Sequence, residues 1–149
     1  MATNATIRTA RAGDLDGLLA LYQHLHARDP SVARGRLEQA WARMLADEHL
    51  TVFIAESDGA LIGSCMLVLT PNLTRGARPF GTIENVVTDP AHRGQGIGKA
   101  ILRAACNAAW AEDAYKVMLM TGRKDEATLR FYTTAGFSPG KTAFQMRRS

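Results

Sequence analysis

The stretch HRGQGIGKAIL, His92–Leu102, places Gly94, Gly96 and Gly98 at alternate positions and then continues with apolar, helix-compatible residues. Glycine is among the residues that least favour a helix interior. A cluster of three at the start of a helix indicates that another group approaches the backbone closely there. The alternative is a glycine-rich turn that only packs the helix against the preceding strand.

The elements on either side of the cluster favour an anion-binding turn. TIENVVT, residues 82–88, has strand character and ends at Asp89-Pro90, and the apolar face of residues 98–111 predicts a helix. The first amides of a helix lack intrahelical acceptors, and the helix dipole favours negative charge beside them. Arg93 and Lys99 add positive charge, so the turn is predicted to bind phosphate.

Two common phosphate-binding loops do not fit this sequence. The dinucleotide fingerprint would need glycine at Lys99, and the P-loop would need glycine at Arg93 and a hydroxyl at Ala100. The pattern present is R-x-x-G-x-G, carried by Arg93, Gly96 and Gly98.

The remaining periodicities predict a mixed α/β (α+β) fold in one domain, residues 1–149. Asp58-Gly59 separates two β-rich runs and is a strong hairpin signal. The predicted strands are 6–9, 51–57, 61–70, 82–88, 115–121 and 141–147. The predicted helices are 15–27, begun by Asp14 as N-cap, 32–50, 98–111 and 124–136. We expect a mostly antiparallel central sheet of six to seven strands with helices on both faces, and a parallel pair flanking the helix after the glycine turn.

Composition narrows the function. The 149 residues are 46% hydrophobic with a net charge of +4, and no apolar run is long enough to span a membrane. The basic residues are scattered, so neither nucleic acid nor membrane is the expected partner. No secretory signal is present, which favours a cytoplasmic location. Cys65 and Cys106 read as small buried hydrophobes, and the histidines lack metal-ligand spacing.

Two segments together resemble the GNAT superfamily, the GCN5-related N-acetyltransferases. They are TIENVVTDPAHRGQGIGKAIL, residues 82–102, and LRFYTTAGF, residues 129–137. The resemblance implies the GNAT acyltransferase fold and acetyl-CoA as acetyl donor, without a metal. It also implies transfer to the primary amine of a small molecule by direct attack in a ternary complex. Homodimers are common among such folds, so a homodimer is possible here.

The resemblance also assigns roles to residues. Tyr132 matches the phenol that donates a proton to the thiolate of coenzyme A, and Glu84 lies where many members carry the base that deprotonates the amine. A backbone amide near Val86 or Val87 matches the oxyanion donor. The cofactor contacts carried over are Val86, Val87, Thr88, Arg93, Gly94, Gln95, Gly96, Ile97, Gly98, Lys99, Thr128 and Tyr132.

Each catalytic assignment has a structural alternative. Tyr132 can be an aromatic residue packed under the sheet, although Phe131 suits that role better. Glu84, in an otherwise apolar strand, can be a buried carboxylate paired with Arg78 or Arg123.

The sequence indicates the acceptor amine less specifically than it indicates the acetyl donor. The segments 81–99 and FYTTAGF, together with Tyr115-Lys116, are similar to glucosamine-6-phosphate N-acetyltransferases. Two departures are Thr128, where an asparagine is usual, and a longer connection after the fifth strand. An amino-sugar-phosphate acetyltransferase and a non-catalytic acetyl-CoA-binding module therefore stay open as alternatives.

Overall fold

One sheet organises the chain. The structure is a computed structural model that describes residues 4–148. Its strands are β1 (Thr6–Thr9), β2 (Leu50–Ser57), β3 (Ala60–Thr70), β4 (Phe80–Thr88) and β5 (Val117–Leu119). They lie side by side in chain order; the first three pairings are antiparallel and β4–β5 is parallel. The mixed, mostly antiparallel sheet and its parallel pair are therefore confirmed.

The number of strands was overestimated. Five strands form among residues 4–148, whereas six to seven were predicted. The predicted strand 141–147 does not form, and every one of its residues is exposed. β5 covers three residues of the predicted 115–121. A strand pattern specifies which side chains share a face, but a strand forms only where a neighbouring edge supplies hydrogen bonds.

Three of the four predicted helices are shorter than their sequence patterns, whereas the helix after the glycine turn matches its predicted bounds to within one residue. The observed helices are α1 (Leu15–Gln23), α2 (Arg34–Ala46), the four-residue α3 (Thr74–Ala77), α4 (Ile97–Ala111) and α5 (Glu126–Thr134). α3 lies inside the predicted β3–β4 loop. Its residues Arg75, Gly76 and Ala77 have positive φ angles, so it is a strained turn more than a helix.

Asp14 does not act as the predicted side-chain cap of α1. Its carboxylate accepts two hydrogen bonds from the Arg8 guanidinium, at 2.7 and 2.8 Å, and one from the Arg11 amide at 2.7 Å. The Asp14 carboxylate therefore joins Arg8 of β1 to the turn before α1 instead of capping the helix.

Helices cover both faces of the sheet, as predicted. Alternate residues of β2 belong to different hydrophobic clusters: Phe53 and Ala55 pack on the side of α4, and Val52 and Ile54 on the side of α1 and α2. Since successive side chains of a strand point to opposite faces, the two clusters lie on opposite sides of the sheet.

The hairpin and the cysteines follow the sequence analysis. Asp58 and Gly59 have φ angles of 50° and 78°, which the tight turn between β2 and β3 requires. Cys65 is fully buried, and burial raises the pKa of its thiol to about 12. Cys106 is partly buried, and both are free thiols. None of the helices within residues 4–148 is long and apolar enough to cross a membrane.

Candidate active site

A bulge in β4 organises the centre of the site. Ser64 pairs with Val87 and Met66 with Glu84, so Asn85 and Val86 together oppose Cys65. Asn85 has a φ of 54°, a left-handed conformation that asparagine tolerates better than most side chains. Because the bulge adds one residue, Val86 packs into the α4-side cluster as Ile83 does.

The glycine turn follows directly at the end of β4. Asp89 accepts a hydrogen bond of 2.8 Å from the Ala91 amide and begins a short 3-10 turn, Pro90–His92. Gly94 and Gly96 then adopt φ angles of 75° and 84°, and Gly96 is the residue that precedes α4. The predicted strand, turn and helix are therefore present, with glycine where the backbone is left-handed.

The three glycines of the turn, Gly94, Gly96 and Gly98, differ in the space around them. A Cβ atom added at Gly98 would lie 2.9 Å from Cζ of Phe131 and 3.3 Å from Oγ1 of Thr88. At Gly94 and Gly96 nothing lies within 4 Å of such an atom. The packing alternative thus describes Gly98, which seats α4 against α5 and β4, whereas open space beside Gly94 and Gly96 leaves their backbone accessible to a ligand.

The start of α4 is electropositive. Gly96 offers no side chain to cap the helix, so the amides of its first turn face outward. Arg93 is exposed, and its Nε donates a hydrogen bond of 3.2 Å to the Thr88 carbonyl. This bond holds the Arg93 guanidinium beside the turn. Lys99 is partly buried in the first turn of the helix.

Asp89 connects the turn to α1. Its carboxylate lies 3.3 Å from Nδ1 of His92 and 3.9 Å from Nε2 of His24, the residue that ends α1. The Ala91 amide, and secondly His92, hold the pKa of Asp89 below its usual value. His92 therefore lies beside the carboxylate that caps the 3-10 turn.

Tyr132 lies on α5 and combines packing with a polar group. Its ring meets Phe131 and Phe137 edge-on, at centroid distances of 4.9 and 6.4 Å. Burial raises the pKa of its phenol, an effect that Arg123 partly opposes. Its hydroxyl forms no hydrogen bond with another residue of the described chain. The phenol is therefore neutral at physiological pH and available as a donor.

Thr128 holds the beginning of α5. Its amide and its Oγ1 both donate to Oδ2 of Asp125, at 3.0 and 2.8 Å. The hydroxyl of Thr128 is thus engaged in helix capping, and its predicted contact with the cofactor stays a prediction.

Glu84 is not the buried carboxylate that the sequence suggested. Its side chain is exposed, and α2 packs over β2, leaving this part of β4 open. Arg78 lies 3.0 Å from Asp113, and Arg123 lies 3.0 Å from Asp125. The ion-pair alternative for Glu84 is therefore wrong for both arginines. Glu84 pairs across the sheet with Met66, which belongs to the α1-side cluster, so its carboxylate points to that face.

Two buried hydroxyls beside the bulge were missed from the sequence. Ser64 is fully buried, and its hydroxyl and that of Tyr22 have no hydrogen-bond partner among residues 4–148. Burial raises the pKa of the Tyr22 phenol, and the neighbouring groups of Ser64 and Asn85 oppose this effect. The only sequence signal was an asparagine within an apolar strand.

The predicted cofactor contacts on β4 and the turn lie within one stretch of the chain, residues 86–99. Of these, Val87, Ile97 and Gly98 are buried, and the others are at least partly exposed. On α5, Tyr132 packs against the α4-side cluster, to which Val86 also belongs. Within residues 4–148, no group of three or more His, Cys, Asp or Glu side chains has an arrangement suited to a metal ion.

The mixed sheet, the left-handed glycine turn and the helix that follows it form the arrangement of an acyltransferase fold. Residues 18–137 match the model of the acetyltransferase (GNAT) family. The chain belongs to this family, and it is an acyltransferase.

Individual relatives agree with this assignment. Glucosamine 6-phosphate N-acetyltransferase of Trypanosoma brucei brucei is 35% identical over 131 residues, 88% of this chain and 87% of that protein. A solved structure, "Putative acetyltransferase from Agrobacterium tumefaciens str. C58", superposes with a TM-score of 0.92 at 45% identity, covering 96% of this chain and 99% of that one. Aminoglycoside N-acetyltransferase AAC(6')-Iy, solved in complex with CoA, shares the fold, with a TM-score of 0.83 at 19% identity over 99% of this chain and 97% of that one.

Proposed function

We propose that the protein transfers the acetyl group of acetyl-CoA to the primary amine of a small molecule, within a ternary complex. The observation that carries the proposal is the turn at the end of β4. Gly94 and Gly96 are left-handed, have open space beside them, and precede an uncapped helix start. A pyrophosphate fits such a turn because several amides and the helix dipole converge on it. The CoA complex of AAC(6')-Iy supports the choice of donor.

The proposed cofactor site extends from the turn along β4. The backbone of Val86, Val87 and Thr88 would hold the pantetheine arm, and Arg93 and Lys99 would add charge beside the phosphates. The bulge at Asn85 interrupts the ladder with β3 beside the amides of Val86 and Val87. One of these amides is proposed to stabilise the oxyanion that forms at the thioester carbonyl.

Two side chains would move protons. Glu84 removes a proton from the ammonium of the acceptor, directly or through water, so that the neutral nitrogen can attack the carbonyl carbon. The C–N bond forms and the nitrogen releases its second proton to water, while the C–S bond breaks and the Tyr132 hydroxyl supplies a proton to the departing sulfur. The Tyr132 phenolate then regains a proton from the solvent, and Glu84 releases its proton there. The products are an acetamide and CoA. A raised pKa suits Tyr132 to this role because its phenol keeps its proton until the sulfur needs it.

An amino-sugar phosphate is the second candidate for the acceptor. It is favoured by the Trypanosoma relative, whose name states that substrate. A cluster of cations and aromatic rings where β4 and β5 begin agrees with it: Arg75 lies 6.0 Å from the Tyr115 ring, and Lys116 lies 5.2 Å from the Phe80 ring. This surface can receive a sugar ring and a phosphate.

The proposal is tested by calorimetry followed by an acceptor screen. Titration of CoA into the protein should release or absorb heat with one binding site per chain. The screen then measures thiol release from acetyl-CoA with glucosamine 6-phosphate, glucosamine, aminoglycosides, polyamines and amino acids. Acceptor-dependent release supports the transferase. CoA binding without release for any acceptor would favour the non-catalytic module, and absence of binding would refute both.

A further inference from the structure

Two hydroxyl groups are buried beside the bulge of β4 without a bonding partner. Ser64, on β3, has no exposed surface, and neither its Oγ nor the Oη of Tyr22, on α1, has a hydrogen-bond partner among residues 4–148. Such a hydroxyl destabilises a fold, because it loses its hydrogen bonds to water and gains none in return. Phenylalanine and alanine would fill the same space without this cost, so packing does not explain the two hydroxyls.

Both hydroxyls face the bulge from the α1 side of the sheet. Tyr22 packs against the α1-side cluster, and Ser64 shares a face of β3 with Met66, which packs against that cluster too. The side chains of Ser64 and Asn85 both counteract the rise in pKa that burial causes in the Tyr22 phenol. The phenol therefore lies next to Ser64 and next to the residue that forms the bulge.

Asn85 gives the bulge its shape and needs support. Its φ of 54° is left-handed, and a side-chain-bearing residue persists in this region when its surroundings hold it there. Ser64 pairs with Val87 across the ladder and so borders the bulge on one side. α1 brings the Tyr22 phenol to the same place. The strained residue thus has two hydroxyl donors beside it that no other described residue engages.

The amide of Val86 follows Asn85 directly and is one of the two proposed oxyanion donors. Because the peptide bond is planar, the backbone conformation of Asn85 sets the direction of the Val86 N–H. An oxyanion donor stabilises the transition state only when it points at the oxygen that becomes charged. Any group that fixes Asn85 therefore also fixes this donor.

We propose that Tyr22, together with Ser64, is a positioning residue of the acetyl transfer, holding Asn85 and through it the Val86 amide in place as the oxyanion forms. The Tyr22 hydroxyl donates to the side-chain oxygen of Asn85, and the Ser64 hydroxyl donates to Oη of Tyr22. Both bonds are absent from the free chain and need only a small movement of the bulge towards α1. This inference rests on the proposed function and adds α1 to the groups that carry it out.

Kinetics and stability together test the proposal. An interaction made only in the transition state contributes to kcat and not to binding of the ground state. For Tyr22→Phe we expect kcat, with acetyl-CoA and the most active acceptor of the thiol-release screen, to fall roughly 10- to 100-fold, as for a small misplacement of a reacting group. The Kd for CoA in calorimetry should not change. The Tm should stay equal or rise, because an unpartnered buried hydroxyl is removed.

Ser64→Ala should give the same pattern with a smaller loss of kcat, because the phenol still reaches Asn85. Its matched control is Ser57→Ala, at the hairpin end of β2, which should leave kcat unchanged. A merely structural role gives a different result, in which a lower Tm or weaker CoA binding accompanies the loss of kcat. That result overturns the proposal, and so does an unchanged kcat in Tyr22→Phe. A wild-type protein without transferase activity refutes the proposed function itself, and this inference with it.

A double-mutant cycle tests the route through Asn85. Glycine adopts the left-handed conformation readily, so Asn85→Gly keeps the bulge but removes the side chain that Tyr22 engages. We expect Asn85→Gly to lower kcat about as much as Tyr22→Phe does. The double variant should be no slower than the slower single variant, because both substitutions break the same contact. Losses that multiply in the double variant, or a normal kcat in Asn85→Gly, overturn the proposal.

Discussion

At the scale of single residues, Tyr132 can be assigned either a packing role or a role in proton transfer, and its surroundings distinguish the two. Phe131 already supplies the packing against Gly98, where an added Cβ atom would lie 2.9 Å from the Phe131 ring, so a hydroxyl on the neighbouring ring is not needed for the core. Burial raises the pKa of Tyr132, and this favours the neutral, proton-bearing form up to and beyond the usual pKa of about 10.

Substitution Tyr132→Phe tests that role. We expect kcat to fall roughly 100-fold or more, which is the range for general acid catalysis. The KM for acetyl-CoA should change little, because the ring remains. The wild-type rate should decline only at strongly alkaline pH, where the phenol loses its proton, and the variant should lose that limb. Steady-state kinetics across pH measures both effects. An unchanged kcat would contradict the assignment.

Glu84 is exposed and pairs with neither Arg78 nor Arg123, so its carboxylate is free to face an acceptor. For Glu84→Gln we expect kcat to fall at least about 10-fold at neutral pH. The loss should shrink as pH rises, because more of the acceptor amine is then already neutral. Glu48→Gln, at a side chain 87% exposed beyond α2, is the control. A loss independent of pH would argue against a role as base.

Asp14 supports the fold through the Arg8 guanidinium, which holds the pKa of the carboxylate below its usual value. We expect Asp14→Asn to lower the free energy of unfolding by about 2 kcal/mol at neutral pH, between the values for exposed and buried ion pairs. The folded-state pKa is the lower one, so this stability is present above pH about 4 and is lost as pH falls further.

Urea denaturation at several pH values measures the difference between the two proteins. It should be constant from pH 7 to about 5 and vanish in strong acid. The control is Asp16→Asn. The Asp16 side chain is 77% exposed and pairs with Arg34 at the surface, so we expect its loss to change the free energy of unfolding by no more than about 1 kcal/mol. A gap between wild type and Asp14→Asn that widens on acidification would contradict the account.

At the scale of elements, the sequence predicted best the features that depend on residues close together in the chain. The Asp58-Gly59 turn and the left-handed glycines before α4 follow from residues that tolerate positive φ, and both are present. The amphipathic face of α4 was equally clear. The bulge at Asn85 was not predicted, because it depends on which residue of β3 each residue of β4 opposes. The strand at 141–147 was predicted and is not formed, because a strand pattern alone does not bring a segment to the sheet edge at which it would pair.

The same division holds for the site. The proposed cofactor contacts on β4 and the turn lie in one stretch of the chain, residues 86–99, and the left-handed glycines expected there are present. The exposure of Glu84 and the orphaned hydroxyls of Tyr22 and Ser64 depend on how α1 and α2 lie over the sheet. These contacts join residues distant in sequence, and no local pattern encodes them.

The glycine turn makes an element-scale prediction with a matched control. Gly96 and Gly59 have similar φ angles, 84° and 78°, and open space around them. Alanine at either position should cost about 1 kcal/mol of stability, because a side chain disfavours the left-handed region. Only Gly96→Ala should also weaken CoA binding, by roughly 10-fold or more in calorimetry. The reason is that the proposed ligand faces the backbone amides around Gly96 and not those around Gly59. Equal CoA affinity in the two variants would contradict the phosphate assignment.

At the scale of the whole molecule, the proposed cofactor surface lies where the two halves of the core meet. β4 contributes Ile83 and Val86 to the α4-side cluster, while Glu84 points to the α1 side, and Asp89 links the end of the strand to α1 through His24. A ligand held by β4 and the start of α4 therefore contacts elements that unfold only when the core does. Its binding energy should be expressed as stability of the entire chain.

Thermal unfolding with and without CoA measures that coupling. A ligand at 100 times its Kd stabilises the native state by about 2.7 kcal/mol. For a chain of this size, that corresponds to a rise in Tm of roughly 5–10 °C. Adenosine, which lacks the pyrophosphate and the pantetheine arm, should give almost no shift at equal concentration, and Gly96→Ala should need more CoA for the same rise. An equal rise with adenosine would place the affinity outside the turn, because only the diphosphate can use the amides at the start of α4.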